Sequence, residues 1–92
     1  MKRILLGPTS ALLASFALVA PALAVDLVNE DRVRYRVTVV DETGERDYVI
    51  GAGESLFEIC IQCDIRIEDV GSIAAQPDDV IIIRNRELVV SS

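Results

Sequence analysis

Cys60-Ile61-Gln62-Cys63 is the one pair of side chains in this 92-residue sequence whose type and spacing could carry redox chemistry. A dithiol so spaced cycles between thiol and disulfide when its attacking sulfur is held as a thiolate by a helix N-terminus or a nearby cation. Here the flanking charges are Glu58 and Asp64, both anionic, and the nearest helix-capping residue, Ser55, lies five residues before Cys60. Both features favour the thiol, and no alternation of strands and helices surrounds the pair. The expectation is a structural disulfide between Cys60 and Cys63. Two Cys without His cannot complete a four-ligand zinc site in one chain, so no metal and no cofactor are expected.

Other reactive constellations are missing. The sequence contains no His, which removes the usual general base near neutral pH and leaves any Ser nucleophile without an activating partner. Asp64, Glu68 and Asp69, or Asp78, Asp79 and Glu87, do not have the alternating spacing of a calcium loop and read as solvated acids in turns. No catalytic residue is assigned and the chain is not expected to be an enzyme. Arg32, Arg34 and Arg36 fall on one face of an extended segment. Arg34 and Arg36 are candidate contacts for an anionic ligand, although charges of this kind also keep an edge strand soluble.

The elements that position these residues begin after a distinct leader. Residues 1–24 hold Lys2 and Arg3, an apolar stretch from Ile4 to Ala20 and a closing Pro21-Ala22-Leu23-Ala24, with no acid. This is the layout of a secretory signal peptide with cleavage after Ala24, which implies export to the periplasm or medium of a bacterial cell. No Cys stands at the cleavage position, which argues against a lipoprotein. Residues 25–92 carry seven Arg against fifteen acids, a net charge of −8. Phosphate is repelled, so nucleic acid is excluded as a partner. No apolar run after residue 24 approaches the ~20 residues of a membrane span. These features name no partner, and an envelope component is a candidate only through the expected export.

Residues 25–32 are polar and short of periodicity and read as a flexible arm, leaving 33–92 as a single small domain. Val33, Tyr35, Val37 and Val39 alternate with Arg34, Arg36 and Thr38, the period of a half-buried strand. The turn Asp41-Glu42-Thr43-Gly44 leads into a second alternating run through Tyr48 and Ile50. If Val40 faces Glu45, Val37 meets Tyr48 and Tyr35 meets Ile50 on the buried face, while Thr38 meets Asp47 in water. Val80-Ile81-Ile82-Ile83, Asn85-Arg86 and Leu88-Val89-Val90 form a second hairpin, with Asn85 suited to a left-handed turn. Between the two hairpins, Ser55-Leu56-Phe57-Glu58 has the form of a capping box and predicts a short helical turn near 55–61. Residues 65–75 are ambiguous between strand, loop and helix. Exposed edges on so small a sheet favour self-association, which the net charge opposes.

Tyr48-Val49-Ile50 followed by Gly53-Glu54-Ser55-Leu56-Phe57-Glu58-Ile59-Cys60 resembles the opening of a LysM domain, and Ile65, Ile67, Glu68, Asp69 and Val70 continue the likeness over residues 48–90. The resemblance implies a βααβ fold and binding of N-acetylglucosamine-containing glycans such as peptidoglycan. It would put contacts in the loop of Gly51, Ala52, Gly53, Glu54, Ser55 and Leu56, and near Ala75 to Asp79. Gly71 within the second expected helix, and Asn85-Arg86-Glu87-Leu88 in place of a Gly-Gln-x-Leu ending, depart from the family pattern. Twenty of residues 25–92 are Val or Ile, side chains that fit a pleated surface better than a helix. The expected fold is therefore all-β, a small sheet or sandwich of two hairpins with one short helical turn. The alternative is the α+β LysM arrangement.

Overall fold

The computed structural model describes residues 23–91. Its eight strands are β1 (Val25–Asn29), β2 (Tyr35–Asp41), β3 (Gly44–Ile50), β4 (Ser55–Cys60), β5 (Cys63–Ile67), β6 (Gly71–Ala75), β7 (Val80–Arg84) and β8 (Glu87–Ser91), with no helix among the described residues. The expected signal peptide, apart from Leu23 and Ala24, lies outside the described residues. The strands form two four-stranded sheets, one ordered β4-β1-β7-β8 and the other β3-β2-β5-β6. The fold is all-β, as the Val and Ile content predicts.

Both expected hairpins are present, one in each sheet. In the first, Val40 pairs with Glu45, Val37 with Tyr48, Tyr35 with Ile50 and Thr38 with Asp47, and the Thr38 hydroxyl donates to Asp47 Oδ1 at 3.0 Å. Period-two alternation fixes this register, because a one-residue slip would put Val37 and Val39 into water. The turn is held by Asp41, whose Oδ1 accepts from the Thr43 amide and hydroxyl, and by Gly44 at φ +123°, where a side chain is strained. In the second hairpin Arg84 pairs with Glu87 across Asn85 and Arg86, which have φ of 54° and 61°. Two consecutive left-handed residues give the turn whose twist matches its strands.

Residues 25–29, expected to be part of a flexible arm, are instead an interior strand of the first sheet. β1 runs antiparallel to β4 on one side and parallel to β7 on the other. Val25, Leu27 and Asn29 are fully buried. A five-residue strand with Asn at its third inward position offers only two apolar beats of alternation, too few to stand out from loop.

The expected helical turn near 55–61 is also replaced by a strand. Ser55 pairs with Val28 and Leu56 with Leu27, and the next pair is Cys60 with Val25. A four-residue step on β4 therefore opposes a two-residue step on β1. The excess forms a bulge with Glu58 at φ 56°, its amide held by Asp26 Oδ1 at 2.9 Å. The bulge breaks the period of two, so the half-buried Leu56 and the buried Ile59 and Cys60 recur with helical spacing in extended chain. The two helices implied by the LysM resemblance are not formed. Residues 65–75 are likewise extended, with β5 and β6 joined by a turn at 68–70.

The inner faces of both sheets supply one core, from Val25 and Leu27 on β1 through Val37, Val39, Ile50 and Ile65 to Ile81 and Ile83 on β7. The sheets are tied at the crossover from β4 to β5, where Cys60 and Cys63 form a disulfide with Cα atoms 6.2 Å apart. Closing so small a loop removes little entropy from the unfolded chain, which corresponds to ~1 to 2 kcal/mol. Replacing both residues by Ala is expected to leave a strand-type circular dichroism spectrum and lower Tm by about 5 to 15 °C. A thermal melt checks this, and an unchanged Tm would remove the bridge from the stabilising interactions.

Candidate functional site

Successive strands run in opposite directions along the sandwich, so the connections collect at two ends. Residues 30–34, 51–54, 68–70 and 85–86 gather at one, the asparagine end. Residues 42–43, 61–62 and 76–79 gather at the disulfide end.

Asn29 organises the first of these. Its side-chain amide is buried at the end of β1, where Nδ2 donates to Val33 O at 2.8 Å and Gly51 O at 2.9 Å while Oδ1 accepts from the Asp31 amide at 2.9 Å. Its backbone amide donates to Glu54 O. One side chain thus joins the connection before β2 to the connection after β3, and both amide hydrogens and the amide oxygen have partners, which makes burial of a polar group tolerable.

Asp31 performs a second join. Its carboxylate accepts from the Tyr35 hydroxyl at 2.7 Å, from the Asn85 amide at 2.7 Å and from the Arg86 amide at 3.0 Å. It fastens the β7-β8 turn to the start of β2. The Tyr35 hydroxyl, then the Arg86 and Asn85 amides, hold the carboxyl below the ordinary Asp value. Burial, then the adjacent Asp31, push the Tyr35 phenol up. Glu30 is lowered by its bond from Arg84 Nε at 2.7 Å, and Asp41 by its bonds from Thr43. The Asp31 carboxylate and the Tyr35 phenol are thus bonded to each other and to the β7-β8 turn in their ordinary neutral-pH forms.

A depressed folded-state carboxyl contributes stability above its unfolded pKa, and that contribution is lost as pH falls through the folded value. For the raised phenol the contribution is present below its unfolded pKa, about 10, and is lost as pH rises through the folded value. Tm is expected to be level between about pH 5 and 9, to fall below that range as the carboxyls protonate and to fall above about pH 10 as the phenol ionises. Asp31→Asn should shallow the acid limb. A pH series of thermal melts tests this, and acid limbs that superimpose in the two proteins would count against the Asp31 strut.

The candidate ligand contacts singled out by sequence occupy separate places at this end. Gly51, Ala52, Gly53 and Glu54 form the connection between β3 and β4. It is closed on itself by Gly51 N donating to Glu54 Oε1 at 2.6 Å and by Glu54 N donating to Gly51 O at 3.0 Å. Ser55 and Leu56 belong to β4, with Leu56 packed against the core. Arg34 and Arg36 flank Tyr35 and line a depression of about 310 Å³ with Val49, Glu68 and Asp69, to which residues 51–56 do not contribute. Arg36 sits 3.8 Å from Glu68, both highly exposed, an ion pair of little energetic weight. Cys60 and Cys63 are at the opposite end, buried and joined.

Sequence reasoning missed Asn29, Asp31, Asn85 and Arg86 as one cluster. A usable signal was Asn at the inward beat after Val25 and Leu27, since a polar residue at a core position marks a bond network when it marks anything.

Charge is unevenly spread between the ends. Arg32, Arg34, Arg36, Arg84 and Arg86, five of the seven arginines of residues 25–92, lie at the asparagine end. Eight acids, Asp26, Asp41, Glu42, Glu45, Glu58, Asp64, Asp78 and Asp79, lie toward the disulfide end with only Arg46 beside them. No ion pair among the described residues engages Arg32, Arg34 or Arg86.

No protein-family model, no curated protein and no solved structure matches this chain.

Proposed function

We propose that the protein is an exported, non-catalytic module of the bacterial envelope that works by presenting surfaces on a small, cross-linked sandwich. The observation that carries this reading is where its reactive side chains are used. Both thiols are consumed in a buried disulfide, a bond that persists in oxidising compartments. The carboxylate and phenol at the asparagine end hold connections together. The expected cleavage after Ala24 falls immediately before β1, so trimming leaves all eight strands whole.

Glycan binding in the manner of a LysM domain is the weaker reading, because the loop it needs is engaged internally: the Gly51 carbonyl accepts from Asn29 and Leu56 is packed on the core. Arg34 and Arg36 remain the candidate contacts for an envelope partner.

The test is to express the full sequence in a bacterial host, fractionate the cells and determine the N-terminus and thiol state of the product. The reading predicts a chain beginning at Val25 in the periplasm or medium, with neither thiol alkylated until it is unfolded and reduced. A full-length cytoplasmic chain with two reactive thiols would contradict it. Co-sedimentation with purified peptidoglycan, lost on replacing Arg34 and Arg36 by Ala, would identify the partner as glycan. Failure to co-pellet would remove that partner.

A further inference from the structure

The two sides of the sandwich are defended differently. On one side the edge strands are β3 and β4. β3 carries Glu45, Arg46 and Asp47, and β4 is distorted by its bulge at Glu58. Charges and bulges are the devices that keep a sheet edge from pairing with another chain. On the other side the edges are β6 and β8, Gly-Ser-Ile-Ala-Ala and Glu-Leu-Val-Val-Ser, which hold one charge between them. β8 is regular, lacks Pro and Lys, and exposes Val89 and Val90. No described strand pairs with its outer edge.

The outer face of the β8 sheet is also unusual for a solvated surface. Strand β7 reads Val-Ile-Ile-Ile, apolar on both faces, and Val28, Ile82 and Val89 fall in one row across β1, β7 and β8. That row points outward and ends at the open edge, at Val89.

We propose that β8 pairs antiparallel with β8 of a second copy of this chain, about a two-fold axis at Val89. Three observations favour a second copy as the occupant. First, the hydrogen-bonding phase fits. Arg84 and Glu87 close the hairpin as a hydrogen-bonded pair, so Glu87, Val89 and Ser91 bond inward to β7, and the amides and carbonyls of Leu88 and Val90 face outward. A two-fold axis at Val89 sets Leu88 of each copy opposite Val90 of the other, giving about four backbone hydrogen bonds.

Second, side chains are compatible at every position. Val89 meets Val89, extending the apolar row across the axis, and Glu87 meets Ser91, so no like charges face each other. Third, antiparallel pairing sets the asparagine end of one copy beside the disulfide end of the other. Arg86, in the turn before β8, comes alongside the start of the other copy's β7, which Asp78 and Asp79 precede. This arrangement locally offsets the repulsion between two chains of net negative charge. It also gives a role to Arg at φ 61°, a position where Gly would be less strained.

The interface does not depend on export. The test uses protein recovered from expression of the full sequence and compares three chains by sedimentation equilibrium: the natural one, Val89→Lys, and Val49→Lys on the defended edge. A dimer is expected for the natural chain and for Val49→Lys, with Kd raised at least tenfold for Val89→Lys at unchanged circular dichroism. Val89→Cys gives a second readout that survives any loss of stability in the Lys variant. Opposed Cβ atoms near the axis predict a covalent dimer on oxidation, whereas Val49→Cys should remain uncrosslinked. A natural chain that stays monomeric at about 0.5 mM, or a dimer that Val49→Lys dissociates and Val89→Lys does not, would overturn the proposal. So would a monomer that binds only a strand from another protein.

Discussion

Asn29→Asp is expected to unfold the protein at pH 7. The substitution preserves shape and replaces two donors by an oxygen, so the carbonyls of Val33 and Gly51 lose their partners and face a buried carboxylate. Each orphaned buried group costs ~1 to 3 kcal/mol and a buried charge costs more, giving a loss of about 4 kcal/mol or more. A domain of this size has roughly 3 to 10 kcal/mol in total. The new carboxyl would have a raised folded-state pKa, so the lost stability should return in part as pH falls from 7 to 5. Asn29→Ala lacks that rescue. Urea titration of both variants at the two pH values checks the pair, and an Asp variant as stable as the natural chain at pH 7 would show that Asn29 does not hold the two connections.

Deleting residues 1–32 is expected to abolish cooperative folding, whereas deleting 1–24 should leave it intact. Were residues 25–32 a frayed arm, the two truncations would melt alike. In this fold the longer deletion removes β1 from between β4 and β7, takes Val25 and Leu27 out of the core, and loses both Asn29 and Asp31. Burial of each aliphatic side chain is worth ~1.5 to 3 kcal/mol. With the backbone bonds to two neighbouring strands added, the loss exceeds the whole stability of a small domain. Near-ultraviolet spectra and denaturant unfolding of the two truncations measure the difference.

The hairpins were legible in the sequence and the sheet topology was not, for identifiable reasons. Val37, Val39, Tyr48 and Ile50 are paired by local geometry, so alternation and a turn of known length are enough to fix register. Asn85 similarly announced its turn. β1 is decided by partners far along the chain, β4 and β7, and its inward Asn29 disguises the pattern. At Ser55 to Glu58 the local signal pointed the wrong way. A capping-box spacing is only a weak preference, and pairing with β1 overrode it, with the bulge producing a spacing that imitates a helix. The disulfide was legible from the spacing of the two Cys and the absence of His, and its position between the sheets was not. Arg34 and Arg36 line one depression, as neighbours on the same face of a strand do, while the bond network of Asn29 and Asp31 could not be seen without knowing that β1 ends beneath the first loop.

Native-state hydrogen exchange of the β1 amides tests the central claim most directly, since β1 is bonded on both sides and a frayed segment is bonded on neither. The account predicts that the amides of Leu27, Val28 and Asn29 exchange only through global unfolding, with protection equal to that of Val37 and Val39 on β2. Exchange of those three amides at rates close to the unprotected chain, with β2 still protected, would contradict it.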